Sequence, residues 1–298
     1  MKIAVLMSTY NGHRYLEKQL DSLSRQSVVK DMILYIRDDG STDDTIDLIS
    51  KWLNRLNIKL IRGKNIGPAM SFWEMLMNPD IQADYYAFCD QDDVWDSDKL
   101  EKGINELKDG VHFYACNCRI VDECGKVISE KLNPQKPIIN LKRLFVTGCT
   151  QGCSMMFTQE LCNFLRKCTI SCVPMHDIVL MMYAVLYGKI YWEQEPKFSY
   201  RVHSNNVVAK SNKNRLQRIK TTLWNWKNSS KNSMSVVANE ILNNGLHINS
   251  DDREYLENIA QYKEKWGSTL LVLTNPEIQD MDNRILRSFK LRVLLRLY

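Results

Sequence analysis

Seven Pro and 12 Gly in 298 residues are too few for a fibrous or low-complexity chain. The sequence also lacks a long hydrophobic run. Its longest nearly unbroken apolar stretch, Ile178 to Tyr187, is about half of the roughly 20 residues needed to cross a bilayer. From the opening Met-Lys-Ile-Ala-Val-Leu-Met, which does not read as a secretory signal, a chain without one is the expectation. None of the nine cysteines forms a Cys-x2-Cys pair of the kind a structural zinc site needs. Reduced thiols packed as small apolar groups in a cytosolic protein are therefore the expectation. Charge of one sign is lacking too: 40 Lys+Arg against 35 Asp+Glu leave +5, too mild to name nucleic acid as a partner. With 44% apolar and 25% charged residues, general disorder is excluded.

What is present is a regular alternation. Residues 2–7 read as a buried strand, followed by a loop at Ser8–Gly12 and helical spacing of Tyr15, Leu16, Leu20 and Leu23. Met32 to Ile36 reads as a second strand, running into Arg37-Asp38-Asp39-Gly40-Ser41-Thr42-Asp43. Ser41 or Thr42 is the expected cap of a helix with Ile46, Ile49, Leu53 and Leu56 on its apolar face. Ile58–Ile61 is a third strand, a loop at 63–68 opens a helix over 69–77, and Tyr85–Cys89 is a fourth strand. Such β-α alternation predicts an α/β fold with a mostly parallel central sheet and flanking helices. In open sheets of this kind ligands bind beyond the carboxyl ends of the strands. The first, second and fourth strands all end in polar clusters. Further on, Val111–Val121 reads as a strand and 178–187 as a buried helix. Ile190–Trp192 and Phe198–Tyr200 read as two closing strands, and everything beyond about 206 as helical.

Two of the polar clusters are acidic. Asp90-Gln91-Asp92-Asp93 packs three carboxylates into four positions, which repel one another unless a cation sits among them. A divalent-metal site holding a phosphate-bearing substrate and a solvated acidic turn are both compatible with these residues alone. Asp38-Asp39-Gly40 suits hydrogen bonds to a base or ribose, and equally an Asp-Gly turn before a helix. Gly148 to Ser154 suits a backbone approach to an acceptor, and equally a tight turn.

Four motifs in order resemble those of the large inverting family 2 glycosyltransferases: Ser8–Gly12, Arg37–Asp43, Asn65-Ile66-Gly67 and Asp90–Asp93. The string Phe88–Trp95 is most similar to a bacterial, rhamnosyltransferase-like branch. The resemblance covers residues 1–205. It implies a GT-A, Rossmann-like catalytic domain, with 206–298 as a basic helical C-terminal extension. It implies that Thr9, Tyr10 and Asn11 form the first nucleotide loop and that Asp38 contacts the base. It also implies that Asn65 and Gly67 border the nucleotide, that Asp90 lies near ribose, and that Asp92 coordinates Mn²⁺ or Mg²⁺. Asp177, in His176-Asp177, takes the place of the general base, with His where the family usually has another acid. His203 takes the place of a histidine that reaches the metal or diphosphate in some relatives. The implied donor is a nucleoside-diphosphate sugar, dTDP-rhamnose or a UDP-sugar, and the implied acceptor a glycan or lipid-linked hydroxyl.

Acids are missing from one more place. Between Glu195 and Glu240 there are nine Lys or Arg and no Asp or Glu, with Trp224 and Trp226 among them. Arg284–Tyr298 carries five cations among apolar residues, again without an acid. Basic amphipathic segments with aromatic anchors suit an anionic membrane surface, here the inner face of the membrane, with no nucleic acid as partner. A solvated helical face, a dimer contact or a lid over the donor would use the same composition. Two other classes stay open: a nucleotidyltransferase, and a non-enzymatic basic protein binding membrane or nucleic acid. The first would want a Gly-rich basic loop after the first strand, which Ser8–Gly12 is not. The second leaves the ordered Asp clusters unexplained.

Overall fold

The structure, a computed structural model, describes residues 1–203 and 233–297. Ile3–Thr9 (β1) is buried along almost its whole length, as a strand covered on both faces must be. β2 (Met32–Asp38) and β4 (Tyr85–Cys89) flank it in parallel, and β3 (Ile58–Arg62) continues the parallel sheet beyond β2. The connections are α1 (His13–Ser24), α2 (Thr45–Trp52) and α3 (Pro68–Met77). β1 has β2, the next strand, on one side and β4, three strands later, on the other. The chain therefore leaves β1 in opposite directions, which opens a crevice at the strand ends.

Beyond β4 the sheet becomes mixed. Its further strands are β5 (Val94–Trp95), β6 (Val111–Val121), β7 (Val127–Ser129), β8 (Met155–Thr158) and β9 (Lys189–Arg201). The order is β3-β2-β1-β4-β8-β6-β9-β5, with β7 against β6. β8 runs antiparallel to β4 and to β6, whereas β6 and β9 are parallel. α4 (Lys99–Glu106) and α6 (Gln159–Lys167) belong with these strands.

Three local expectations are corrected. The two closing strands are one, β9, which carries register irregularities opposite Cys116 to Arg119 and so bridges the Pro196 region without ending. Neither Ser41 nor Thr42 caps α2. Asp44 stands at its N-cap, because Ser41 is bound to Asp38 and Thr42 to Asn11. The later start rotates the buried face to Thr45, Leu48, Ile49 and Trp52 and leaves Leu53 exposed.

The chain divides into two compact units. The first comprises residues 1–137, 150–167 and 188–207, and holds the whole sheet. The second comprises 138–149, 168–187 and 208–298. Two segments expected in the catalytic domain thus group with the C-terminal part. Within the second unit lie α5 (Leu141–Val146), α7 (His176–Tyr187), α8 (Ser233–Asn243), α9 (Ser250–Gln261), α10 (Trp266–Thr274) and α11 (Asn283–Leu294). Buried Lys142 of α5 binds Asp251 and Glu277, and Phe145 meets Tyr255 at 6.1 Å. Much of the basic stretch, Lys210 to Lys231 with both tryptophans, lies outside the described residues. No helix among the described residues is long and apolar enough to cross a membrane.

Candidate active site

The last residue of β1, Thr9, is the register partner of the last residue of β2, Asp38. The loops after both strands therefore leave the sheet side by side, and Asp38 fastens them. Thr9 Oγ1 donates to Asp38 Oδ2 at 3.0 Å, Ser41 Oγ donates to the same oxygen at 2.6 Å, and the Gly40 and Ser41 amides donate to Oδ1. Four donors occupy a carboxylate that offers about four acceptor positions. Asp38 thus shapes the loop, and its carboxylate is only 3% exposed. Asn11, in the left-handed region at φ 47°, completes the seam. Its amide donates to Ser41 Oγ at 2.9 Å, and its Oδ1 accepts from the Thr42 amide at 2.8 Å. The Tyr10 ring stays outside this seam and is exposed.

Gln91 draws the β4 loop against the β1 loop. Its Oε1 accepts from the Tyr10 amide at 3.0 Å, and its Nε2 donates to the Tyr10 carbonyl at 3.2 Å. Gly12 is what allows this, since a Cβ there would stand 2.1 Å from Gln91 Oε1. Asp39, 2% exposed, holds the third loop: it accepts from the Ile66 amide at 3.0 Å and the Gly67 amide at 2.9 Å, and pairs with buried Arg37. Gly67, at φ +82°, adopts a backbone that L side chains avoid, and Asn65 beside it is exposed.

The acidic cluster separates into two groups. Asp92 Oδ2 lies 2.6 Å from His203 Nε2. Asp90 and Asp93 instead converge with Cys153, with ligand atoms all within 4.8 Å of one another. Asp93 is wholly buried. Burial first, then the Asp92 and Asp90 charges, push its carboxyl well above the usual range. Arg201 braces the cluster: its amide donates to Asp93 Oδ1 at 3.1 Å, and its Nε donates to the Asp92 carbonyl at 2.8 Å. Its guanidinium lies 5.1 Å over the Tyr15 ring, and the same ring meets the His203 imidazole at 4.8 Å.

Such a donor set fits a divalent cation. Carboxylates suit Mg²⁺ and Mn²⁺, and the Asp92–His203 pair offers an oxygen and a nitrogen at one point. Among the described residues no N–H or O–H reaches Asp93 Oδ2, a buried acceptor suited to a cation.

Of the residues named from sequence, Thr9, Tyr10, Asn11, Asp38, Asn65, Gly67, Asp90, Asp92 and His203 all lie in the first unit. Asp177 lies in the second, in the first turn of α7, where its Oδ1 accepts from the Ile178 amide at 2.8 Å. His176 beside it is buried, and burial lowers its imidazole to a pKa of about 3, so it is neutral. Burial and then the Asp177 charge raise the Cys149 thiol to about 12, against the pull of a backbone hydrogen bond. Sequence reasoning gave Gln91, Tyr15, Cys153 and Arg201 no role of their own in the site, and read Asp39 as a ligand-facing acid rather than as the anchor of the third loop. Arg201 was hidden in a basic stretch, and Cys153 among thiols read as filler. A cleft of about 550 Å³ at the opposite end of the sheet, lined by Asp84, Val111, His112 and Thr158, contains none of these residues.

The family model for glycosyl transferase family 2 matches residues 4–165, more than half of the chain. The chain belongs to glycosyltransferase family 2. This transferase is 26% identical over 272 residues to the dTDP-rhamnosyl transferase RfbG of Shigella flexneri, covering 87% of this chain and 93% of that one. Solved GT-A structures share its fold. The S. aureus TarS 1–349 fragment in complex with UDP-GlcNAc superposes with a TM-score of 0.61 at 16% identity, over 98% of this chain and 81% of that one. The mannosyltransferase PcManGT from Pyrobaculum calidifontis, in complex with GDP-Man and Mn²⁺, gives 0.60 at 13% identity, over 98% and 87%.

Proposed function

We propose that this glycosyltransferase is metal-dependent and inverting, and that it moves a sugar from a nucleoside diphosphate to a hydroxyl of a growing cell-surface polysaccharide or lipid-linked acceptor. Rhamnose from dTDP-rhamnose is the first candidate, because the relative that spans nearly the whole chain is a dTDP-rhamnosyl transferase. A UDP-sugar is the second. The observation that carries the reading is the convergence of three strand-end loops on one sheet edge, with Asp92 and His203 2.6 Å apart beside them. Asp92 and His203 would hold Mn²⁺ or Mg²⁺. Such an ion, when bound, offsets charge on the departing diphosphate.

The chain's own residues do the rest. Exposed Tyr10 offers a ring face to the base, and Asp38 fixes the loop on which the base and ribose rest. Asn65 and Gly67 border the nucleotide on a loop that Asp39 anchors, and Asp90 faces the ribose. An inverting transfer needs a base on the face opposite the leaving group, to take the acceptor proton as the hydroxyl attacks the anomeric carbon. Asp177 is assigned that step, and the imidazole of His176 beside it is neutral. Residues 1–205 are assigned the catalytic work, and the basic C-terminal part a place at the cytoplasmic face of the membrane.

Thermal-shift measurement against a nucleotide-sugar panel, with and without Mn²⁺, tests the reading. Ligand binding raises apparent stability by about 2.7 kcal/mol at a hundredfold excess over Kd. Stabilisation by dTDP-rhamnose or a UDP-sugar that depends on Mn²⁺ is expected. Equal stabilisation with a chelator present overturns the metal assignment.

A further inference from the structure

α10 buries its smaller and more polar side. Ser268, Thr269 and Val272 face inward, while Trp266, Leu270 and Leu271 are 70%, 62% and 50% exposed. α11 buries Leu286, Phe289 and Val293 at helical spacing. It leaves Leu291, Leu294 and the following Leu295 exposed at 45%, 48% and 50%. Arg296 joins the two exposed faces. Its guanidinium lies 4.5 Å over the Trp266 ring and donates to Thr269 Oγ1 at 2.9 Å. Single exposed apolar residues are ordinary, but a cluster of this kind drawn from two adjoining helices marks an interaction surface.

Charge selects the occupant. From Asn283 to Tyr298 the chain carries five cations and no acid. Arg284 and Arg287 are exposed at the start of the same helix whose end carries the leucines. The acids between the two helices are engaged: Glu277 with Lys142, Asp280 with Arg143, and Asp282 with the first amides of α11. A second copy of the chain on a two-fold axis would set these cations against their equals, which repel. Lipid headgroups of negative charge meet them instead, with an indole and leucines entering the boundary between headgroups and acyl chains.

We infer that the α10–α11 face, centred on Trp266, Leu270, Leu294 and Arg296, docks on an anionic bilayer surface. The inference extends the proposed place at the membrane face to a named surface and uses none of the catalytic assignments. It also changes how the tail is to be tested. Deleting residues 284–298 would strip Leu286, Phe289 and Val293 from the interior of the second unit, so the clean changes are on the outer faces.

The test floats the full chain, without donor, on vesicles of phosphatidylcholine alone and of equal parts phosphatidylcholine and phosphatidylglycerol. Wild type should rise with the anionic vesicles and stay behind with the neutral ones. Leu270→Ser with Leu271→Ser should lower the partition coefficient by about tenfold or more. Arg284→Glu with Arg287→Glu should lower it by about tenfold or more as well. Thermal midpoint and donor hydrolysis, read on the same variants, should not move. Should the serine pair lower the midpoint, the charge-reversed pair, whose side chains are exposed, decides. No flotation of wild type, undiminished flotation of the charge-reversed pair, or a dimer in sedimentation that the serine pair dissolves would each overturn the assignment. All three would leave the transferase reading standing, whereas loss of donor binding in wild type would strike that reading and not this one.

Discussion

Asp92 and His203 are 111 positions apart in the chain and 2.6 Å apart in space. Alanine at position 92 removes the carboxylate of this pair from a half-buried loop and leaves the strands beneath it untouched. Asp92→Ala should therefore abolish Mn²⁺-dependent turnover with little change in thermal midpoint. A rate that still responds to Mn²⁺ would reassign the ligand. Asp177→Asn keeps the shape of the α7 terminus and removes the basic lone pairs. Turnover should fall by about 10²–10⁴, the scale of a positioned general base, with donor affinity kept. A loss confined to donor affinity would remove Asp177 from that role. His176 supplies a pH prediction. Its folded pKa of about 3 lies below the ordinary 6.5, because burial disfavours the charged ring. The unfolded chain then binds the additional proton between those values. The contribution of this residue to stability is whole above pH ~6.5 and falls as pH drops toward ~3. His176→Leu should flatten that acid limb, as read from urea midpoints on either side of pH 6.5. An acid limb as steep as that of wild type would place the sensitivity elsewhere.

Elements of this fold do their work at their ends. β1, β2 and β4 are buried and apolar along their length, and each hands the chain to a polar loop at the same edge. Asp39 joins the loop after β2 to the loop after β3. It holds the Ile66 and Gly67 amides from the end of β2 and neutralises Arg37, which is 5% exposed. Asp39→Ala would leave that guanidinium buried beside a half-exposed Glu74 and two amides without an acceptor. A destabilisation of about 3–5 kcal/mol is expected, the scale for breaking a buried pair. Faster hydrogen exchange at Gly67 should accompany it. A cost below about 1 kcal/mol would mean that Glu74 alone suffices for Arg37.

At the scale of the whole molecule, a buried cation in each unit gathers segments distant in sequence. Lys142 does so in the second unit through Asp251 and Glu277. In the first, Arg201 reaches the Asp92, Asp122 and Glu123 carbonyls from the end of β9. Arg201→Met keeps much of the volume and removes the donors. It should lower the stability of the first unit by about 2–4 kcal/mol, because three carbonyls lose a charged donor in a buried place. Urea unfolding checks this. Donor affinity should fall along with stability, since the same side chain braces the Asp92 loop. Unchanged donor binding would separate the brace from the site.

The first four strands, the helices between them and the four motifs at the sheet edge were legible, because each depends on a local pattern. Apolar runs of strand length end in Gly, Asp and Asn, and the register of a parallel sheet carries those ends to one line. Short α5 was not legible, since six residues give too little periodicity. The continuity of β9 was hidden by Pro196, which a strand tolerates only at an irregular register. Cys153 and Arg201 could not be assigned to the site, because a thiol or guanidinium shows its role only through its neighbours, and theirs are tens of residues away. The separation of the acidic cluster into Asp92 with His203, and Asp90 with Asp93 and Cys153, was likewise decided in three dimensions. By itself the sequence determined which residue types stand at the strand ends, because strand formation and turn chemistry act over a few residues. Only the tertiary structure decided which of those groups meet, because β6, β8 and β9 reach the site through long-range pairings that no short stretch of sequence encodes.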